Sequence, residues 1–411
     1  MIAELLALLV CAIVGVALVR RVAGEALLVG IGAGAGVLFV LSLVGVPWTR
    51  ASFVLGMLAI AGLSALGSRL SGGGPESREP RAESRWLPVP FIALALILVI
   101  GYAIFATVAP MWEVDFIADW GFKARAFFVA HGIDWKVLAF HRDIHPDYPP
   151  LLPLAFDILA IARGAWDDRT MGLIGVAFAA GLLLIVHRLA LEETGSRAAA
   201  AFVAAAMVPL ACSPWIGLAE GPLVAYGTAA LLLIRRGSVA AGAVMLGLAA
   251  STKNEGLTLI IAAAVGLAVV KRLRDIARLW PAVVIPLPWL VLRRVHHLQT
   301  DLTEGSVVAR IVEHVTNPRP LLVAFATYSV GQPFFWLALA LGIALTIRPL
   351  LARERFVLVA VAVQFLFYIA AYLATPHDVL WHVRWSWERL ISHLSPALTY
   401  IVFVHLLRDN Q

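Results

Sequence analysis

Apolar runs long enough to cross a bilayer recur along the whole chain. They fall near 2–19, 25–46, 51–67, 87–108, 170–187, 198–213, 219–234, 238–252, 256–270, 279–296, 330–347, 356–374 and 394–407. A span needs about 20 apolar residues, fewer where neighbouring helices shield its ends. Backbone in hydrocarbon must satisfy its own hydrogen bonds, so such runs fold as helices. The fold class this dictates is all-α: a polytopic transmembrane helical bundle. Composition agrees, with 61% hydrophobic residues against 14% charged, where a soluble domain carries roughly 25% charged.

The net charge of +6 might suggest nucleic acid. The basic residues instead cluster in short intervals between apolar runs, the pattern of cytoplasmic loops, so no nucleic-acid partner is expected. Cys11 and Cys212 both fall in apolar runs and imply no disulfide framework. The first run is followed by Arg20 and Arg21 with no small-residue cleavage site, and reads as a retained span.

Arg20, Arg21 and the stretch 68–86, rich in Gly, Ser, Pro and Arg, are expected inside the cell. Residues 151–163 are too short to cross comfortably and read as an interfacial or partly inserted helix. With that helix uncounted, the clusters His187/Arg188/Arg197, Arg235/Arg236, Lys271–Arg278, Arg348–Arg355 and Arg408 all fall on the cytoplasmic side. The expected organisation is then a three-span extension at 1–67, a cytoplasmic linker at 68–86, and a module at 87–297 carrying an extracytoplasmic loop at 109–169. A C-terminal portion at 298–411 completes it.

The loop is the longest polar interval, and its start mixes Phe116, Phe127 and Phe128 with Lys123 and Arg125. That mixture suits short interfacial helices with an apolar face down and a charged face in water. The same topology puts Glu220, the Lys253-Asn254-Glu255 triplet, Arg293/Arg294 and 376–393 on the outer side. Cations there run against the usual bias, so Lys123, Arg125, Arg142, Lys253, Arg384 and Arg389 call for an anionic partner.

Five stretches carry chemistry. In WEVDFIADWGFKAR, Asp119 and Lys123 stand four apart and can form an ordinary ion pair. Asp115 reads either as one more charge of a solvated interfacial helix or as a carboxylate base at the membrane surface. HRDIHPDYPPLLP offers His141, Asp143, His145 and Asp147, but Pro146 directly after His145 spoils a shared helical face, and no metal is expected. Its DYPP portion reads as a rigid turn that aims Asp147 and Tyr148 back toward the membrane. LAEGPL sets Glu220 at the mouth of a span, either as a plain helix terminus or as a partnered acid. STKNEG crowds three polar side chains into a very short connection, which favours the lining of a site over interfacial snorkelling. TPHDVLWHVRWSWERLISHLSP combines His382, Arg384 and Arg389 with Trp381, Trp385 and Trp387. Trp there is an ordinary interface belt, but Trp faces also stack on sugars and Arg forks bind phosphate.

In this order the motifs resemble the GT-C superfamily of integral membrane glycosyltransferases, which includes protein O-mannosyltransferases and the lipid A aminoarabinose transferase. The residues are Trp112, Asp115, Trp120, Lys123 and Ala124, then DYPPLLP, AEGPL, TKNEG and WHxxWSxxRLxxHLxP, spread over about 87–400. The resemblance implies a GT-C-like fold in a bacterial inner membrane and a donor sugar on polyprenyl phosphate. It also implies a catalytic Asp in the first extracytoplasmic loop, matched by Asp115, and transfer to an envelope glycan, lipid or protein outside the cytoplasm. The first three spans lie before the matching region.

The expected activity is therefore inverting transfer of a sugar to an acceptor hydroxyl with Asp115 as general base. Lys253, Arg384 and Arg389 would hold the phosphate. Asp147, Tyr148, Glu220, Glu255, His382, Trp381 and Trp385 would bind sugar or acceptor, with Asp119, Trp120 and Lys123 in support. No cofactor is required. A flippase or other transporter of lipid-linked sugar is the alternative; transporters place substrate near the bilayer midplane, whereas here the polar groups gather at one face. A non-catalytic scaffold would leave the one-sided charges without a purpose.

Overall fold

The computed structural model of the protein describes residues 1–19, 24–67, 87–140, 145–298, 305–328 and 333–408. The linker 68–86, Arg20/Arg21, the 141–144 portion of HRDIHPD (with Arg142) and residues 299–304 lie outside the described residues. Among the described residues every regular element is helical.

Four helices open the chain: α1 (Ile2–Val19), α2 (Gly24–Leu43), α3 (Arg50–Gly67) and α4 (Val89–Val108). The loop supplies a π-helical turn (Phe116–Trp120), α5 (Gly121–Ala130) and α6 (Trp135–Phe140), and α7 (Leu151–Arg163) follows. Next come α8 (Asp168–Thr194), α9 (Arg197–Ala211), α10 (Glu220–Arg235), α11 (Val239–Ala250) and α12 (Glu255–Val269). Three short pieces, α13 (Leu273–Ala277), α14 (Trp280–Val284) and α15 (Leu287–Val295), make a broken segment bent by 48°. The chain ends with α16 (Val307–Thr316), α17 (Arg319–Tyr328), α18 (Pro333–Arg353), α19 (Arg355–Leu373), α20 (Val379–Ser392) and α21 (Ser395–Arg408).

Each expected span coincides with helix. Among the described residues six helical segments are long and apolar enough to cross a membrane, seven if the bent segment counts as one. This is a multi-pass membrane protein by length and composition.

Helix limits follow local chemistry. Asp167 accepts the Arg169 N–H to start α8, and Gly195, left-handed at φ 66°, ends it. Asp378 caps α20 through the Trp381 N–H, so this acid is spent on a helix start.

The first three helices do not stand apart from the rest. Gly24 of α2 lies against the α8 backbone at Gly181, and the Tyr226 hydroxyl of α10 donates to the Leu28 carbonyl. Arg50 at the start of α3 donates to the carbonyls of Ile161 and Arg163.

Two expectations need correction. The helix over 151–163, expected as interfacial or partly inserted, does not lie on the surface of the bundle: α7 is buried along nearly its whole length, packed against α1, α2, α5 and α8. Nor does this part of the loop turn all its charges to water: Arg125 is exposed, but Lys123 and Asp119 are buried. The reason is shared: the loop folds back over the bundle, so the helix faces that sequence pattern assigns to water meet protein instead.

Charged groups collect at two ends of the bundle. α10 begins at Glu220 and finishes at Arg235, about 22 Å apart at 1.5 Å per residue. Along α8, Asp167 and its partner Arg163 mark one end and Arg188, bound to Glu25, lies near the other. The cationic clusters expected on one side do gather there: Arg188, Arg235, Arg236 and Arg272 join Glu25, Glu192, Glu193, Glu354 and the Ile234 carbonyl. The residues expected on the other side gather at the opposite end.

Candidate functional site

Phe116 holds the loop in place. Its ring packs edge-on against Phe156 of α7, with ring centroids 5.6 Å apart, and lies over Gly217 in the turn that leads into α10. Gly217 has φ +85°, and a Cβ there would come within 2.7 Å of the Phe116 ring, so both backbone sign and space require glycine. The clamp fixes the backbone of Asp115 one residue earlier, directly before the π-helical turn. Such turns are often found at functional sites.

From there a chain of ion pairs runs inward. Arg389 Nη1 lies 2.7 Å from Asp115 Oδ2. Arg389 Nε and Nη2 lie 2.8 and 2.7 Å from Glu220 Oε1. Lys253 Nζ reaches the same Glu220 oxygen at 3.0 Å and Glu255 Oε1 at 2.9 Å. Three carboxylates and two cations give the chain a net charge of −1.

Exposure is greatest at its Asp115 end. The side chain is 41% exposed at Asp115, 18% at Arg389, 0% at Glu220, 7% at Lys253 and 20% at Glu255, so the minimum lies at the middle. Glu220 is the hub, and its other oxygen, Oε2, is buried without a hydrogen-bond partner. Removing one cation would leave a buried carboxylate undercompensated, a loss on the order of 3–5 kcal/mol.

Helix ends explain why these residues meet. Glu220 and Glu255 sit in the first turns of α10 and α12, where the helix dipole favours acids, and Arg389 sits in the last turn of α20. Gly256 lets the STKNEG turn close tightly, since a Cβ there would lie 2.3 Å from the Ala249 backbone. Burial lowers the proton affinity of Lys253, but Glu220 and Glu255 outweigh it and hold the ammonium charged. Burial, then the neighbouring Asp115, raise the Glu113 carboxyl above its usual range.

A second cluster flanks the first. Asp119 and Lys123 form the expected pair at 2.6 Å, and Lys123 also donates to the His145 carbonyl. Burial pushes Asp119 up and Lys123 opposes it. Trp120 stacks on Tyr148 at 5.5 Å, and the Tyr148 ring centre lies 5.9 Å from both Lys123 Nζ and Lys253 Nζ. Tyr148 thus bridges the two clusters. Asp147 is buried: Oδ2 accepts from Asn254 at 2.7 Å, Arg293 stands 3.7 Å away, and Trp289 donates to its backbone carbonyl. Burial raises this carboxyl, while Asn254 and Arg293 restrain it.

The sequence-expected residues therefore divide. Asp115, Glu220, Lys253, Glu255 and Arg389 come together, with Tyr148, Trp120, Lys123 and Asp119 beside them. Glu220 and Asp147, expected to bind sugar or acceptor, are buried and paired with protein groups. Arg384 does not join its expected partners. Five residues along a helix is about 140° of rotation, and Arg384 faces outward over the Trp385 ring at 5.3 Å. Trp381 and Trp385 are exposed, and His382 meets Thr375 Oγ1 at 2.7 Å, two helical turns from Arg389.

Three further residues belong here. Asn254 and Arg293 fix Asp147. His393, buried, contacts the Tyr368 hydroxyl at 3.0 Å within electrostatic reach of Lys253 and Glu220. Its signal was legible: His393 follows Arg389 by four residues, hence on the same helical face.

An apolar cleft lined by Pro209, Trp215, Tyr328, Trp387 and Ile391 opens on another face of α20, and no member of the ion-pair chain lines it. Among the described residues no three His, Cys, Asp or Glu side chains gather as a metal-ligand set.

No protein-family model, curated protein or solved structure matches the chain.

Proposed function

We propose that the protein is a membrane glycosyltransferase that moves a sugar from a polyprenyl-phosphate donor to an acceptor hydroxyl, on the extracytoplasmic face of a bacterial inner membrane. The observation that carries this reading is the half-exposed Asp115 carboxylate at the open end of a Glu–Lys–Glu–Arg chain whose middle members, Lys253 and Glu220, are buried. It puts a base and a cation within 3 Å of each other where the loop meets the start of α10 and the end of α20.

In the reaction, Asp115 takes the acceptor proton as the acceptor oxygen bonds to the anomeric carbon from the face opposite the phosphate. The bond from that carbon to the phosphate oxygen breaks, and polyprenyl phosphate leaves with one more negative charge. The Asp115 carboxylate gains the proton, so charge balances. Inversion follows from single displacement. Arg389 stabilises the departing phosphate, with Lys253 behind it through Glu220. Tyr148, between the two lysines, offers a ring for sugar or acceptor.

The test compares envelope glycans, by mass spectrometry, from cells with the protein, without it, and with Asp115→Asn. A glycan lost on deletion and also lost with Asp115→Asn supports transfer. An unchanged glycan profile would sink it. Unmodified donor accumulating on the outer leaflet only when the protein is present indicates a flippase. Sidedness has its own check: a Cys placed at Ser77 should resist an impermeant reagent applied to intact cells, and labelling from outside would overturn the orientation.

A further inference from the structure

Arg389 cannot serve a phosphate in the arrangement just described without giving something up. Its Nε and Nη2 are turned to the buried Glu220, and Nη1, the edge toward the exposed end, holds Asp115. The ion-pair chain already carries a net charge of −1, so an anion added on top of it would be repelled. If Asp115 leaves, the remaining Glu255, Lys253, Glu220 and Arg389 sum to zero, and one charged N–H position on a partly buried guanidinium opens. That position suits a phosphate oxygen, because charge-assisted bonds from Arg to phosphate are among the stronger ones.

Resting on the transferase reading above, we infer that Arg389 Nη1 is an exchangeable anion site: a phosphate ester takes the place that the Asp115 carboxylate holds in the free protein. One ion pair breaks and another forms, with no proton or covalent bond moved. The exchange couples binding to chemistry, since Asp115 becomes available as a base only once the phosphate is seated.

The surroundings permit the movement at one end alone. Glu220 is fully buried and held by three donors from two cations, so it stays. Asp115 is the most exposed member of the chain, and its backbone is anchored by the Phe116 clamp, so the carboxylate can swing by side-chain rotation while the loop stays put. The backbone N–H of Ile117 is already bonded to the Glu113 carbonyl, so the local turn does not depend on the ion pair.

The exchange makes a prediction opposite in sign to that of a simple active-site residue. The experiment measures binding of farnesyl phosphate, which carries no sugar, to the full chain in lipid nanodiscs. Asp115→Asn and Asp115→Ala should each bind it about tenfold more tightly than the unaltered protein, because the competing carboxylate is gone. Arg389→Gln should bind it at least about tenfold more weakly. Farnesol should bind all forms alike. Inorganic phosphate should shift in the same direction at much weaker affinity; if it binds as well as the ester, the exchange stands and the lipid source is removed. Unchanged or weaker farnesyl phosphate binding in both Asp115 variants, with Arg389→Gln still impaired, overturns the exchange and leaves the phosphate reading intact. Equal binding by all forms, Arg389→Gln included, removes the phosphate reading itself and the exchange with it.

Discussion

The two ends of the bundle use the same device and differ in one respect. At one end Arg389 joins two carboxylates, Glu220 and Asp115. At the other, Arg235 joins Glu354 and Glu193, while His405 Nε2 meets Glu354 at 2.8 Å and the Tyr400 hydroxyl donates to Glu193 at 2.9 Å. Both acids beside Arg235 are about 2% exposed, whereas Asp115 is 41% exposed. A guanidinium between two buried acids is a lock, tying α8, α10 and α21 to the start of α19. A guanidinium between one buried and one accessible acid is a lock with a replaceable part. Similar charge chemistry thus supports architecture at one end and a candidate reaction centre at the other, and accessibility decides which.

That contrast breaks if the two arginine sites respond alike. The largest expected effect is on transfer. Asp115→Asn should lower it by about 10²–10⁴-fold while leaving thermal stability close to unaltered, since the side chain is half in water. Asp119→Asn should cost less, because that acid serves an ion pair with Lys123; an inactive Asp119→Asn beside an active Asp115→Asn would reverse the assignment. Arg389→Lys should fall about tenfold or more in transfer, because a single ammonium cannot reproduce the fork that spans Glu220 and Asp115.

Arg235→Ala should do the reverse. It uncovers two buried carboxylates and should cost about 3–5 kcal/mol in stability, read by denaturation in detergent, with activity per folded molecule unchanged. A selective loss of transfer in Arg235→Ala would end the distinction between the two ends.

Acid should weaken the Arg235 end. Burial alone would raise the Glu354 carboxyl, but Arg235 and His405 outweigh it and hold it down to about 2. A depressed carboxyl contributes stability that is fully present above its ordinary value of 4.5 and is lost as the pH falls toward 2. Melting temperature should therefore drop between about pH 4.5 and pH 3, and Glu354→Gln should flatten that drop while starting from a lower stability at neutral pH. The smallest effect belongs to Arg384→Gln, whose side chain rests on an exposed Trp385; transfer should change by less than about threefold, as suits an exposed cation–π contact.

By itself the sequence determined the helical bundle and the position of each apolar helix, because runs such as 170–187 and 356–374 have no stable alternative to helix in hydrocarbon. It also determined the division of charge into two groups along the chain, and local pairs such as Asp119 with Lys123, whose spacing of four is written in the helical repeat. Even the separation of Arg384 from Arg389 was implicit, since five residues do not return to one helical face. Only the tertiary structure decided that Lys253 and Arg389, more than a hundred residues apart, converge on one oxygen of Glu220. It alone buried α7 and Lys123, and it alone left Asp115 41% exposed while burying Glu220 completely. The physical reason is that helix formation in apolar surroundings depends on local hydrogen bonding and composition. Burial, exposure and the sharing of one carboxylate by two cations depend on how distant helices pack, and no local pattern records that.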